Sequence, residues 1–372
     1  MKTIRRLIYG EVITSFAYVL LAFLALFFFF DFVEELSALG KAPRSNPELV
    51  YGIRHALMYV ALMMPNRMYE LMPIAVLIGS VTVLTRLAHS SEYTILRTSG
   101  LGPTRALKTL LGLGLLFTIL TFAMGDYAAP PADRSAQLLK ARFKGNLVAG
   151  ETGAWLKERQ GQANYLVNVR TLTTQGHMGG VRIFEFDENG VMLSTLDAAE
   201  GQIETTGSWT LIDVKRMEFR RVKLKADDVR HSDMPTYSWP SEITAEMVSV
   251  ALLKPDRMRT TDLFEYIQHL EANGQTAQRY EIEFWRKVFY PLSCLVMVVL
   301  ALPFAYLHFR SGGVMGYVFL GVMIGISFFL LNNVFGYIGN LNQWQPWLAA
   351  AAPAMIYSVL SLGAFLWLVF RR

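Results

Sequence analysis

The sequence contains a single cysteine, Cys294, among its 372 residues. One cysteine excludes an intrachain disulfide and any cysteine-rich metal site, and it does not decide the redox compartment. Charged residues are also scarce, at 17% of the chain, whereas hydrophobic residues make up 53%. Soluble domains rarely have this composition, so it points first to a membrane protein.

The sequence also lacks the common catalytic and nucleotide-binding motifs. The closest approach to a P-loop, GNLVAGET from Gly145, has Glu151 where the phosphate-binding lysine belongs. No H-E-x-x-H or G-x-S-x-G motif occurs, and the apolar runs contain no Ser/His or paired carboxylate arrangement. The six histidines are scattered without metal-ligand spacing: His55, His89, His177, His231, His269 and His308. We therefore expect no catalysis by this chain alone, and no bound metal or cofactor.

Long runs without Asp, Glu, Lys or Arg indicate six membrane spans. The first follows basic residues, as in a signal peptide, but its 19 uncharged residues are enough to span and no small-x-small cleavage site follows. The 60 residues from Ser311 to Phe370 carry no charge, which is too long for one span, and a turn is expected at Gly336 to Pro346. The expected spans are Val12 to Phe30, Leu71 to Thr85 extended backward past Glu70, Ala106 to Met124, Val288 to Phe309, and two between Ser311 and Phe370.

The distribution of lysine and arginine predicts the orientation. With the N-terminus inside, ten basic residues lie in short inside segments and four in short outside segments. The inside set is Lys2, Arg5, Arg6, Arg86, Arg97, Arg105, Lys108, Arg310, Arg371 and Arg372, and the outside set is Lys41, Arg44, Arg54 and Arg67. This bias places both termini in the cytoplasm.

About 160 residues between the third and fourth spans have the composition of a soluble domain. Short alternating runs such as GVRIFEFD and SWTLIDV predict β-strands, and the turn DENG ends in the Asn-Gly pair of a hairpin. The stretch TTDLFEYIQHLEANG predicts a helix capped by Thr260 or Thr261 and stopped by Gly274, and a second helix from about Thr276 leads into the fourth span. The expected fold class is an α-helical polytopic membrane protein with six transmembrane helices and an inserted external all-β domain.

One predicted strand is apolar on both faces. Val181 and Ile183 share one face, while Phe184 and Phe186 share the other. A half-exposed sheet alternates more cleanly. Either the strand belongs to a sandwich packed on both faces, or one of its faces lines a groove for an apolar ligand.

The spans themselves favour a large or lipidic cargo. Ion transport usually requires ionisable residues deep in the bilayer, and only Glu70 comes close to such a position. A lipid handled at an apolar surface is compatible with uncharged spans. Because the chain lacks a P-loop, the energy must come from a partner.

Three stretches carry a resemblance to a known family: YELMPIAVLIGSVTVLTRLAHSSEYTILRTSG from Tyr69, YEIEFWRKVFYPLSCLVM from Tyr280, and GNLNQWQPWLAAAAP from Gly339. With the layout of three spans, a β domain and three spans, the chain resembles the LptF/LptG lipopolysaccharide export permeases over essentially its whole length, and the LptG branch most. The first stretch is the most specific of the three.

The resemblance implies the permease subunit of an ABC-type exporter in the inner membrane of Gram-negative bacteria. The implied partners are a cytoplasmic LptB-like ATPase dimer that binds ATP and magnesium, a second LptF-like permease, an LptC-like periplasmic bridge protein, lipopolysaccharide and membrane lipids, with no nucleic acid. The implied division is transmembrane helices 1–3 in 1–125, a periplasmic β-jellyroll-like domain in 126–255, a helical connection in 256–284 and transmembrane helices 4–6 in 285–372. An LptF-like partner subunit and a non-transporting anchor, whose β domain docks periplasmic proteins, fit the same layout.

By the same resemblance, residues 88–100 form a cytoplasmic coupling helix that docks on the ATPase, with Ser91, Glu92 and Arg97 as its site residues. Glu92 matches the position of the family's coupling carboxylate. Ser90 or Ser91 is expected to cap this short helix, and the positive start of the helix would stabilise Glu92. The alternative is an ordinary basic loop in which Glu92 is merely solvated.

The sequence departs from the family where the first helix emerges. Some LptG-type members carry lysines there, but FDFVEELSALGK offers three carboxylates before its first lysine. Candidate cations for the lipid phosphates are Lys41, Arg44, Arg67, Arg134 and Lys140. The alternatives are solvated surface charges, and divalent cations that bridge the carboxylates to phosphate.

Two further sets of residues are candidates for contact with the partner permease and the lipid. Small residues at G-x-x-x-G spacing in the fifth span allow close helix approach, either to the partner's first helix at a lateral gate or within this chain: Gly312, Gly316, Gly321 and Gly325. If the β domain guides acyl chains, the two-faced strand contributes Ile183, Phe184 and Phe186.

Overall fold

The structure is a computed structural model that describes most of the chain. The described residues are 2–40, 50–144, 147–148, 153–161, 163–172, 176–204, 208–220, 228–243, 248, 255–272, 274–306 and 314–370. They divide into two compact units. The membrane unit comprises residues 1–35, 60–133 and 278–372, and the β unit comprises residues 36–59 and 134–277.

Nine α-helices are described, and six helical segments among the described residues are long and apolar enough to cross a membrane. The helices are α1 Lys2–Leu36, α2 Ile53–His89, α3 Glu92–Thr98, α4 Pro103–Ala123, α5 Ala129–Lys144, α6 Thr260–Ala272, α7 Gln278–Ala301, α8 Val314–Leu341 and α9 Pro346–Phe370. The six expected spans are confirmed.

The span boundaries follow the sequence signals closely at two places. The second span does extend backward, because α2 begins at Ile53. The turn between the last two spans lies between Leu341 and Pro346, inside the expected loop. Proline at the first position of α9 costs no hydrogen bond, since the first amides of a helix have no intrahelical partner.

The third span does not end at the expected domain boundary between residues 125 and 126. It passes through a π-helical segment, Met124–Ala128, and continues as α5 to Lys144. Pro130 and Pro131 would be expected to end the helix, because proline has no amide hydrogen to donate to the helix. The wider π turn lies just ahead of these two residues. Helix α5 is amphipathic, and buried residues on one of its faces lie four, three and seven positions apart: Ala129, Asp133, Ala136 and Phe143.

The inserted β domain is confirmed as a seven-stranded antiparallel sheet. Its strands are β1 Leu147–Val148, β2 Ala154–Gln160, β3 Ala163–Leu172, β4 His177–Phe186, β5 Met192–Ile203, β6 Ser208–Arg220 and β7 Asp228–Pro240. Strands β3 to β7 pair in chain order, and both β1 and β2 pair with β3. The DENG turn joins β4 and β5 as expected: Asp187 Oδ1 accepts from the amides of Asn189 and Val191 at 2.9 and 2.7 Å, and Gly190 adopts φ 77°.

One face of this sheet forms the core of the β unit. Its centre is apolar and fully buried, with Ile183 paired between Val167 and Leu196. The two ends of the sheet meet through Glu158 of β2, which is 4% exposed. Its carboxylate accepts from the Ser241 hydroxyl and the Glu242 amide, both at 2.7 Å, just after β7 ends. A buried carboxylate with two charge-assisted hydrogen bonds ties the last strand to the first half of the sheet.

Helix α6 begins and ends close to the sequence signals. The described helix starts at Thr260 itself, so the cap position is Arg259, just before the two expected threonines, and the Leu263 amide bonds to the Arg259 carbonyl. Gly274 stops the helix as expected, with φ 62° and a bond from Gln275 N to Leu270 O at 2.8 Å. Glycine is favoured there because the left-handed backbone costs it nothing.

Candidate functional site

The short helix α3 is fixed to the membrane unit by one face. Tyr93 is 3% exposed and packs edge-on against Tyr306, with ring centroids 5.2 Å apart. The Arg97 guanidinium lies over the same ring at 5.8 Å. Burial and the neighbouring Tyr306 hydroxyl raise the pKa of Tyr93, so its phenol stays neutral. Helix α3 is thus a packed element of the fold rather than a solvated loop.

The C-terminus of α3 has a Schellman turn. The Leu101 amide bonds to the Leu96 carbonyl at 3.0 Å, and the Gly100 amide bonds to the Arg97 carbonyl at 3.1 Å. Gly100 has φ 103°, which glycine tolerates, and Leu101 is buried. The Arg105 side chain donates to the Gly100 carbonyl at 2.9 Å. These bonds set the angle at which α3 leads into α4.

The expected serine cap of α3 is wrong. Ser91 occupies the N-cap position with φ 60°, and no side-chain cap bond forms there. A capping side chain needs an extended backbone to point its oxygen at the first amides, and the left-handed conformation of Ser91 turns it away. Its carbonyl instead accepts from the amides of Thr94 and Ile95 at 3.1 and 3.3 Å. The Ser90 hydroxyl is directed to the Leu87 carbonyl at 3.4 Å.

The opposite face of α3 is exposed. Glu92, Thr94 and Ile95 point away from the membrane unit, and Ile95 is 63% exposed. Within the described part of the chain, Glu92 makes no ion pair. An exposed isoleucine beside a carboxylate on a rigid helix is an arrangement suited to binding another protein.

The N-terminal half of α1 packs at the same end of the membrane unit as α3. Arg86, near the end of α2, forms an ion pair with Glu11 of α1. The Tyr9 hydroxyl donates to the Thr109 carbonyl of α4 at 2.9 Å. Helix α1 therefore contacts both helices that flank α3.

A second polar cluster joins α1 and α2 farther along α1. Asp31 lies 20 residues beyond Glu11, about 30 Å along a helix that rises 1.5 Å per residue. Arg67 of α2 donates to both Asp31 oxygens, from Nε at 3.0 Å and from Nη2 at 2.9 Å. Its Nη1 donates to Glu70 at 3.4 Å, and its guanidinium covers the Phe27 ring at 5.1 Å. Arg67 is therefore paired with two carboxylates.

A buried lysine lies at the π segment of the third span. Lys287 of α7 is 7% exposed, and its ammonium donates to the Gly125 carbonyl at 3.1 Å. The Tyr69 ring lies against Gly125 and leaves no room for a side chain. The neighbouring Arg286 bonds to Glu283 at 2.7 Å and to Asn333 of α8 at 3.1 Å. Lys287 stands just before the uncharged run that begins at Val288, so no sequence pattern singles it out.

The remaining phosphate-binding candidates fall in three different settings. Lys41 and Arg44 lie outside the described residues. Arg134 is exposed in the β unit. Lys140, in the same unit, holds its ammonium 4.3 Å from the centre of the Tyr59 ring. Their role in binding phosphate stays a prediction.

Two of the four glycines of the fifth span pack within this chain. A Cβ on Gly325 would lie 3.0 Å from Ile74 of α2, and one on Gly321 would lie 3.5 Å from Val81 of α2. Gly316 faces open space, and Gly312 lies outside the described residues. Internal packing thus explains Gly321 and Gly325, which leaves Gly316 as the described glycine available to another helix.

The two faces of β4 differ in the structure. Ile183 is fully buried, whereas Phe184 is partly buried and stacks on Trp155, with ring centroids 6.0 Å apart. Trp155 is 45% exposed, and Phe186 is partly buried on the same face as Phe184. At β4 the sheet therefore has one buried apolar face and one partly exposed aromatic face.

The buried face becomes polar toward one end of the sheet. Glu185 of β4 accepts from the Ser194 hydroxyl at 2.6 Å and from the Tyr165 hydroxyl at 3.3 Å. Arg216 of β6 lies 3.2 Å from Glu218 and 3.8 Å from Glu185. Burial, and then the nearby Glu185, raise the pKa of Tyr165. No group of three or more potential metal ligands occurs among the residues that the structure describes.

Comparison with known proteins agrees with the helical layout. A family model described as lipopolysaccharide export system permease LptF/LptG matches residues 6–369. The chain is 27% identical over 344 residues to the lipopolysaccharide export system permease protein LptG of Escherichia coli K12, covering 92% of this chain and 90% of that protein. It is 24% identical over 375 residues to the protein of the same name from Haemophilus influenzae, covering 100% of this chain and 99% of that protein.

Proposed function

Because the chain belongs to the LptF/LptG family of lipopolysaccharide export permeases, we propose that it is the LptG-type permease subunit of an ABC-type exporter. In this proposal the complex extracts lipopolysaccharide from the inner membrane and passes it to a periplasmic bridge of β domains. A separate ATPase dimer, which is LptB-like and binds ATP and magnesium, supplies the energy. The similarity to proteins named LptG favours this subunit over the LptF-like partner.

The observation that carries the proposal is the packing of α3. Tyr93 and Leu96 hold one face of this helix against the membrane unit, and the other face presents Glu92 and Ile95. A rigid helix between two spans transmits force between a bound protein and the spans, whereas a solvated loop absorbs it. We assign to Glu92 a charge-assisted contact with a cation on the ATPase. Ser91 and Arg97 stay candidates for the same contact, and Arg97 also lies over the Tyr306 ring.

The proposed orientation has both termini and α3 in the cytoplasm and the β domain in the periplasm. The bias of lysine and arginine toward the α3 side supports this assignment. The β domain then meets an LptC-like bridge protein, and the second permease is LptF-like. Gly316 supports a contact with that permease, because it faces open space at the start of α8.

A route for acyl chains through the β domain is part of the same proposal. The aromatic face with Phe184 and Trp155 is partly exposed, so it is accessible without unfolding the sheet. The buried face at Ile183 is accessible only if the two ends of the sheet separate at Glu158. Lys41, Arg44, Arg134 and Lys140 stay candidates for the lipid phosphates, as does Arg67, which is paired with Asp31 and Glu70.

Reconstitution separates a transporter from a membrane anchor. The chain is purified with its second permease and ATPase, placed in vesicles with lipopolysaccharide, and supplied with ATP or a non-hydrolysable analogue. We expect ATP hydrolysis to respond to lipopolysaccharide, and lipid to be released only with ATP. If the rate of ATP hydrolysis does not change with lipopolysaccharide, and the β domain binds only periplasmic proteins, the chain is a membrane anchor instead.

A further inference from the structure

The π turn of the third span leaves the carbonyl of Gly125 without a main-chain donor. In an α-helix this carbonyl would accept from the amide of Ala129, four residues on. That amide bonds instead to the Met124 carbonyl, five residues back, which is the π pattern. In the π pattern the donor to Gly125 would be Pro130, which has no amide hydrogen. Neither pattern therefore supplies the Gly125 carbonyl with a hydrogen bond from its own helix.

Lys287 supplies this hydrogen bond from another span. Its ammonium donates to the Gly125 carbonyl at 3.1 Å, and the residue is 7% exposed. An unpaired carbonyl within a membrane span is costly in free energy, and so is a buried ammonium, so each group offsets the cost of the other. The Tyr69 ring fixes the same point from α2, because it lies so close to Gly125 that no side chain would fit there.

The packing of α7 on α4 brings Lys287 to this carbonyl. One buried stripe of α7 runs at steps of four and three residues: Lys287, Pro291, Cys294, Val298 and Ala301. Two turns along this stripe, Cys294 Sγ lies 3.2 Å from the Thr121 hydroxyl, and Thr121 is one turn before Gly125 on its own helix. These two contacts together set the register of α4 against α7.

The π turn also keeps two buried stripes in phase. Phe117 and Thr121 of α4 are buried, and so are Ala129 and Asp133, which lie 12 residues beyond them. On an uninterrupted α-helix, 12 residues turn about 120° past three full turns, which would place these pairs on different faces. The extra residue of the π turn removes about 100° of this rotation. The buried faces of α4 and α5 therefore coincide only while the turn stays in place.

We infer that Lys287 is a positioning residue that holds the π turn at Gly125 and thereby sets the face that α5 presents beyond the turn. Without Lys287, the Gly125 carbonyl regains a donor only if the turn moves and the Ala129 amide bonds to it, and α5 then rotates. Residues 134–144 of α5 belong to the β unit, so the transfer of lipid to that unit should depend on this face. The effect on lipid rests on the proposed function, whereas the holding of the turn does not.

Spin labels on the two sides of the turn report the rotation. A label at Tyr337 of α8, which is 68% exposed, is paired either with one at Ala132, after the turn, or with one at Phe122, before it. Cys294 is fully buried and stays unlabelled, which leaves its contact with Thr121 intact. The full complex, with cysteine-free partner subunits, is measured in nanodiscs by pulsed electron resonance.

Lys287→Met keeps the approximate size of the side chain and removes its donors. The Tyr337–Ala132 distance should then change by up to about 8 Å, since a side chain that turns about 100° on a helix about 10–12 Å wide moves by that amount. The Tyr337–Phe122 distance should stay the same, because Phe122 precedes the turn. Lys287→Arg keeps N–H donors and should keep both distances at their wild-type values.

The two prolines separate the missing hydrogen bond from a general loss of packing. Pro130→Ala returns an amide that can donate to the Gly125 carbonyl, so it should raise the melting temperature several degrees more in Lys287→Met than in the wild type. Pro131→Ala is the matched control, since its new amide would serve the Asp126 carbonyl in the π pattern. It should raise the melting temperature equally in both backgrounds. If Lys287→Met alone yields no folded protein, the same comparison is made by the recovery of folded complex in gel filtration.

Lipid released per ATP hydrolysed is measured on the same complexes, and Lys287→Met should lower it more than Lys287→Arg does. The inference is refuted if folded Lys287→Met keeps the wild-type Tyr337–Ala132 distance, or if the two proline substitutions rescue it equally. Wild-type complexes that release no lipid with ATP would count against the proposed function alone, because the distances and melting temperatures still report the turn.

Discussion

The contact between Gly79 and Phe16 predicts a measurable cost for a single methyl group. In Gly79→Ala, the new Cβ would lie 2.8 Å from the Phe16 backbone nitrogen, and backbone cannot rotate out of the way. To reach ordinary contact distance the two helices must separate by roughly 0.6 Å, which forfeits a quarter to a half of the local dispersion attraction. Overpacking of this kind costs about 1–3 kcal/mol, against a gain of up to about 1 kcal/mol in helix propensity.

Gly10 supplies the matched control, because it lies in α1 and a Cβ added there would have nothing within 4 Å. Gly10→Ala should therefore keep the full gain in helix propensity. Thermal unfolding of the purified protein in detergent measures both variants, at about 2–4 °C per kcal/mol for a unit of this size. We expect Gly79→Ala to melt several degrees below Gly10→Ala. Equal melting temperatures would show that α1 and α2 do not approach as closely as described.

Three further predictions concern the β unit. Glu158→Ala should destabilise it by about 2–3 kcal/mol in urea unfolding, because the buried Ser241 hydroxyl and a backbone amide lose their acceptor. An unchanged urea midpoint of unfolding would contradict this. Burial lowers the pKa of His269 from its ordinary value near 6.5, although the nearby Glu158 opposes the shift. The unfolded chain therefore takes up a proton first on acidification, so stability falls as the pH drops below about 6.5, and His269→Gln should show a weaker pH dependence across that range. Photo-crosslinkers at Ile183 and Phe184 should differ, with one of them labelling lipopolysaccharide only when ATP is present; if neither labels lipid, the β domain is not its route.

The helical layout was predictable because charge is expensive in a bilayer. Runs without ionisable residues had to be spans, and the 60 uncharged residues near the C-terminus had to contain a turn. The hairpin at Asp187 to Gly190 was predictable for a local reason, since Gly190 adopts a positive φ angle and Asp187 accepts the turn amides. Local chemistry decided these features.

Features that depend on two distant segments were not predictable. Pro130-Pro131 signals a break, but the π turn ahead of it lets the helix continue to Lys144. Ser91 has a left-handed backbone, and it lies two residues before Tyr93, which packs on Tyr306 more than 200 residues away in sequence. The sequence pattern therefore predicts a serine side-chain cap for α3 that the folded structure does not form.

The candidate cations show the same limit. Arg67 is a candidate cation because the lipid phosphates need cations, with a solvated surface charge as the alternative. Its pairing with Asp31 required knowing that α1 and α2 bring these residues together, and nothing in either local sequence indicates it. Lys287 was hidden for a related reason, since its acceptor is a backbone carbonyl of another span.

The most direct test of the account is ATP-driven lipid release by a complex that carries Glu92→Lys. The substitution leaves Tyr93 packed on Tyr306, so the chain should insert and fold normally. The matched control is Glu188→Lys, a reversal of an exposed carboxylate in the β4–β5 turn. The account predicts that Glu92→Lys loses ATPase binding or lipid release, because a charge-assisted contact becomes a repulsion worth several kcal/mol, while Glu188→Lys keeps both. Full ATP-driven lipid release by Glu92→Lys would contradict the proposed coupling through α3.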